Sequence, residues 1–215
     1  MSGADVRAIN GADAICTESA SCPEPWPLFT LTVVNNIIVD NVAGLGGGGI
    51  SLQDVSRAVI VNNTIANNDS TATSSLAFPA GALSSVPLPA GVISYPHSAV
   101  LQNLWQLAAA QPLNLSAGKV LEYCVDGLPG NPAECNGTPE LTYANPSIVN
   151  NIIWHNNSWF FDGTATDPAT GGLVGALAPN PASPYWDLGV SGAGSTGLFL
   201  NPQNSILSSL ADPLG

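Results

Sequence analysis

Val33-Val34-Asn35-Asn36-Ile37-Ile38-Val39-Asp40-Asn41 is followed 27 residues later by Ile60-Val61-Asn62-Asn63-Thr64-Ile65-Ala66-Asn67-Asn68, and the pattern returns as Ile148-Val149-Asn150-Asn151-Ile152-Ile153-Trp154-His155-Asn156. All three read apolar-x-Asn-Asn-x-Ile-x-x-Asn. A period of that length belongs to solenoids and repeat arrays, in which one short unit stacks on the next. Successive side chains of a strand leave on opposite faces, so the residues flanking each asparagine pair share one interior: Val33 with Ile38, Ile60 with Ile65, Ile148 with Ile153. These apolar residues are expected to stack coil upon coil, with the second asparagine of each pair at the bend.

A short amide side chain tolerates tight-turn backbone angles, and its oxygen and amino group can accept from and donate to equivalent amides in the coils above and below. Asn36, Asn63 and Asn151 are therefore expected to form a ladder, with Asn41, Asn68 and Asn156 at a second turn five residues further on. Between the first two copies, Gly46-Gly47-Gly48-Gly49 predicts a close approach of backbones. Ile50-Ser51-Leu52 then predicts a strand that sends Ile50 and Leu52 inward.

These residues resemble the parallel β-helix repeat family, the pectate-lyase-like solenoids, whose coils carry this apolar-x-Asn-Asn-x-apolar signature. The likeness covers residues 30–70 and 145–162. It implies an all-β fold, a right-handed parallel β-helix with a long loop and helix insertion. Solenoids of this kind serve as polysaccharide lyases and hydrolases, as adhesins and as surface scaffolds, so the fold alone selects no activity. The tract Ser183-Pro184-Tyr185-Trp186-Asp187-Leu188-Gly189-Val190 looks like the β-helix portion of large secreted bacterial surface proteins, some of them labelled multicopper oxidases. A multicopper site needs many histidines, and this chain has His97 and His155.

The 215 residues are read as a single β-helix domain, with coils near 30–70 and 145–162, an insertion over 71–147 and a further coil over 198–208. Within the insertion, Ser98–Ala110 is the best helix candidate. Ser98 is placed to cap it, and Leu101, Leu104, Trp105 and Leu107 lie close to one face. Such a stripe more often covers a core than acts as a lid. No helical cap is evident before Pro213-Leu214-Gly215, so neighbouring domains of a larger chain or end-to-end self-association are expected to cover the stack.

Charge narrows the partners. Arg7, Arg57 and Lys119 face fifteen acidic residues, for a net charge of −12. Such a chain repels phosphate backbones and anionic lipid, which excludes nucleic acid as a partner, and it has no apolar run long enough for membrane insertion. Cys16 with Cys22 and Cys124 with Cys135 form two local pairs without zinc-type spacing, which predicts two short-loop disulfides and a secreted or cell-surface protein.

Catalytic signals are sparse. Lyases on this fold hold calcium with clustered Asp and use Arg or Lys as base, so Asp54 and Arg57 are the pair to consider, although a surface ion pair explains them as well. A glycosidase needs two carboxylates about 5–10 Å apart, for which Asp40, Asp54, Asp69 and Asp162 are available. Asp162 and Asp167 bracket an Asx-rich loop with oxygen ligands suited to calcium, the one cofactor the chain suggests. Trp154, His155 and Trp159, beside Phe160 and Phe161, offer rings that could stack on sugars or simply pack. The expectation is an extracellular β-helix scaffold or surface-interaction module, part of a larger secreted protein, with polysaccharide as partner. The alternative is a carbohydrate-active enzyme, a polysaccharide lyase or glycoside hydrolase.

Overall fold

The computed structural model describes residues 30–55, 57–102, 143–164, 172–176, 185–192 and 197–208. Its first pass runs through β1 (Thr30–Val34), β2 (Ile37–Val39), β3 (Val42–Ala43) and β4 (Ile50–Leu52). The second follows as β5 (Arg57–Val61), β6 (Thr64–Ala66), β7 (Asp69–Ser70) and β8 (Val92–Ser94). The third comprises β9 (Ser147–Val149), β10 (Ile152–Trp154), β11 (Asn157–Phe161), a short excursion strand β12 (Leu173–Gly175), and β13 (Leu188–Val190). A last pass adds β14 (Pro202–Gln203) and β15 (Ile206–Leu207).

Strands stack by pass into four sheets ordered β1-β5-β9-β14, β2-β6-β10-β15, β3-β7-β11-β12 and β4-β8-β13. Every stacking pair is parallel and in register, as in Val33 opposite Ile60 and Ile60 opposite Ile148. The exception is β12, which folds back antiparallel on β11. The protein is thus mostly β, built from parallel sheets of stacked strands compatible with a β-helix-like solenoid. The stretch 71–147, expected as an insertion, supplies β8 to the fourth sheet, and the stretch 198–208 supplies β14 and β15.

The core follows from the repeat. Ile60, Ile65, Ile148 and Ile153 are fully buried, Val33 nearly so, and Ile50 and Leu52 point inward as expected. A smaller core forms where Ala72, Ala77 and Leu88 pack on Ile93 of β8. Close approach explains the glycines. A Cβ on Gly48 would strike the backbone of Asp69, and one on Gly49 would lie 2.6 Å from the Gly91 carbonyl oxygen.

The corners correct one detail of the sequence reading. Left-handed backbone angles fall on the first asparagine of each pair: Asn35, Asn62 and Asn150, with Asn204 equivalent on the last pass. Asp40, Asn67 and His155 take the same conformation at the next corner. Asn and Asp are the side chains that best tolerate that region. The second asparagine is the buried rung. Asn63 Oδ1 accepts the backbone N–H (2.9 Å) and Nδ2 (3.2 Å) of Asn36. Asn151 Oδ1 accepts the same two groups of Asn63 at 2.8 and 3.0 Å, and the Asn151 N–H ends on Ser205 Oγ. A second ladder runs from Asn41 through Asn68 to Asn156. Each buried rung also donates Nδ2 back to a carbonyl of the preceding pass, Val33 for Asn63 and Ile60 for Asn151. Nearly every amide group is thereby satisfied without water, as burial demands.

Candidate functional site

The corner that follows the second sheet gathers Trp154, His155 and Tyr185, with Asp69, Asn157 and Trp159 beside them. Alternation on β10 buries Ile153 and turns Trp154 outward, 38% exposed. The left-handed turn then presents His155, whose ring stacks on Trp154 at 4.8 Å and on Tyr185 at 4.3 Å, the latter nearly parallel at 8°. Tyr185 is brought there by an antiparallel bridge to Asn157, the first residue of β11. Asn157 in turn donates Nδ2 to Asp69 Oδ1 (2.9 Å) across the β7–β11 pair, and Trp159 Nε1 reaches the same oxygen at 3.3 Å. One surface therefore carries a three-ring stack, and beside it a carboxylate fixed by two donors.

Of the aromatic residues grouped from the sequence, Trp154 and His155 stack on one another, while Trp159 lies on β11 with its Nε1 directed to Asp69. Tyr185 and the part played by Asp69 were missed, because the contacts join residues 30 and 88 positions apart. The signal available was the Tyr185-Trp186-Asp187 run ahead of an apolar strand.

Other sequence candidates lie apart. Asp40 is exposed on the first pass, in the corner column that continues through Asn67 to His155. Asp54 accepts the Ser98 N–H and lies 3.8 Å from the Nδ1 of buried His97, while Arg57 opens β5. Ser98 caps the helical turn at 99–102 through its Oγ to the Leu101 N–H (3.3 Å). Asp162 Oδ1 accepts from the Thr164 N–H, the Thr164 hydroxyl and the Ser84 hydroxyl, so its carboxyl is held below the usual range, led by the Thr164 N–H. Asp167, Cys16, Cys22, Cys124 and Cys135 lie outside the described residues. No group of three or more His, Cys, Asp or Glu placed to hold a metal occurs among the described residues, and no described helix is long and apolar enough to cross a membrane.

A further carboxylate closes the second ladder. Asp187, buried, accepts the N–H (3.3 Å) and Nδ2 (2.8 Å) of Asn156 on Oδ1 and the Ser208 N–H (2.6 Å) on Oδ2. Ser208 Oγ accepts the His155 N–H, so the latch and the aromatic corner share a residue. Burial pushes the Asp187 carboxyl up, with the hydrogen bonds from Asn156 and Ser208 opposing it.

Fold and corner together define a class: a mostly β protein of stacked, mainly parallel strands with an aromatic patch at one edge. No protein-family model, curated protein or solved structure matches the chain.

Proposed function

We propose that the stacked passes form a right-handed parallel β-helix in the manner of the pectate-lyase-like solenoids, and that the protein is an exported interaction scaffold binding neutral polysaccharide at the aromatic corner. The observation that carries this reading is the stack of Trp154, His155 and Tyr185 beside the fixed carboxylate of Asp69. Sugar rings have apolar faces that pack on indole and phenol, and equatorial hydroxyls that seek carboxylate and amide partners. A net charge of −12 favours an uncharged chain over an acidic one.

Titration calorimetry against soluble neutral and acidic polysaccharides, with and without calcium, tests it. Binding of a neutral polymer weakened about tenfold by Trp154→Ala, roughly 1.4 kcal/mol, is the expected result. Equal binding by wild type and the Trp154→Ala and Tyr185→Ala variants would sink the assignment. New reducing ends or unsaturated products in the same mixtures would establish the enzymatic alternative, with Asp40→Asn and Asp69→Asn deciding which carboxylates serve it.

A further inference from the structure

The left-handed corner before the second sheet is occupied by Asn35, Asn62, Asn150 and Asn204. Two residues after each, an outward position of the second sheet holds Ile37, Thr64, Ile152 and Ile206. Three of the four are isoleucines left in solvent, at 77%, 43% and 55% exposure. Thr64 alone breaks the column, and its hydroxyl makes no hydrogen bond among the described residues. The break makes Asn62-Asn63-Thr64 an Asn-x-Thr acceptor sequence for N-linked oligosaccharide.

Two other such sequences among the described residues show the contrast. Asn68-Asp69-Ser70 and Asn156-Asn157-Ser158 have both asparagines fully buried as ladder rungs. Their serines are buried too, donating to the carbonyls of Leu45 and Leu88. Those residues are explained by structure. Asn62 is exposed, and Thr64 has no such role.

We infer that Asn62 is an N-glycan acceptor, and that the attached oligosaccharide lies over the exposed isoleucine column of the second sheet. In the transfer, Asn62 Nδ2 forms a bond to the anomeric carbon of a lipid-pyrophosphate-linked oligosaccharide. The bond from that carbon to the phosphate oxygen breaks, the lipid pyrophosphate leaves with the electron pair, and the amide gives up one proton. The occupant suits the face: a large isoleucine stripe on a monomer invites self-association, and a glycan rooted at its edge shields it with sugar CH surfaces inward and hydroxyls outward. The aromatic corner lies beyond the other outward column, Val39, Ala66 and Trp154, and stays open.

This inference rests on the export proposed above. The chain is isolated from medium and cells of its native host, and its N-glycans are released enzymatically in heavy-oxygen water, which marks each acceptor as heavy aspartate for mass spectrometry. Marking at Asn62, with none at Asn68 or Asn156, is expected. A chain in the medium with Asn62 unmarked overturns the inference and leaves export standing, whereas a chain found within the cytoplasm overturns both. Asn114 and Asn136 begin further acceptor sequences outside the described residues and are read separately in the same map. Thr64→Ile, which completes the isoleucine column, is expected to fold, to lose the mark at Asn62 and to bind apolar dye several-fold more than wild type. Retention of the mark, or unchanged dye binding, contradicts the assignment.

Discussion

A rung of the ladder is worth more in the middle than at the edge. Asn63 is 2% exposed, accepts from Asn36 and donates to Asn151 and to the Val33 and Val61 carbonyls, whereas Asn36 is half-buried with fewer partners. Asn63→Ala strands several buried donors and acceptors at once, so it is expected to cost on the order of 3 kcal/mol in urea unfolding, against about 1 kcal/mol for Asn36→Ala. Two aspartates differ in sign. Burial raises Asp187, so its folded form binds a proton more tightly than the unfolded chain does; its contribution to stability is fully present below the ordinary Asp range and is lost as pH rises through the raised value. Asp162 is lowered, chiefly by the Thr164 N–H, and contributes stability present above the ordinary range that is lost as pH falls. Unfolding of wild type, Asp187→Asn and Asp162→Asn across acid pH is expected to give differences that slope in opposite directions.

Elements depend on how near their backbones come. Gly48→Ala drives a methyl into the Asp69 backbone and so against the β3–β7 pair, for an expected loss of about 1–3 kcal/mol. At Gly44 the nearest atom to an added methyl is Thr73 Oγ1 at 3.5 Å, an ordinary contact, and Gly44→Ala is expected to leave the thermal midpoint nearly unchanged. The same elements mark what the sequence makes legible. The first two sheets could be read directly, because Asn-Asn bends fix the phase of the strands on either side and the buried isoleucines repeat with them. The fourth sheet was half hidden: β4 announces itself after four glycines, but β8 and β13 each follow a Pro-rich stretch of sequence, and neither carries the repeat. The aromatic corner was legible in its local members. Tyr185 and Asp187 were not, since their partners His155 and Asn156 lie far back in the sequence and no local pattern specifies that pairing.

Across the whole molecule, stability should be graded along the stack, because each pass touches only its neighbours. The second and third passes are paired on both sides through β5, β6, β9 and β10, while β14 and β15 are two-residue strands paired with the third pass. Amide hydrogen exchange is expected to be slowest at Ile60, Ile65, Ile148 and Ile153 and to quicken toward Gln203 and Leu207. Equal protection throughout would mean that the passes open as one unit. The ladders add a grammar of growth to this gradient. Each rung's oxygen receives from the earlier pass while its backbone N–H is spent on the later one, and the second series ends on Asp187, a side chain whose ionised form only accepts. Copying a repeat in ahead of β1 would offer new amide donors to the oxygens of Asn36 and Asn41. A copy inserted after the third pass would first have to evict a carboxylate, so lengthening by duplication is chemically easier from one direction than from the other.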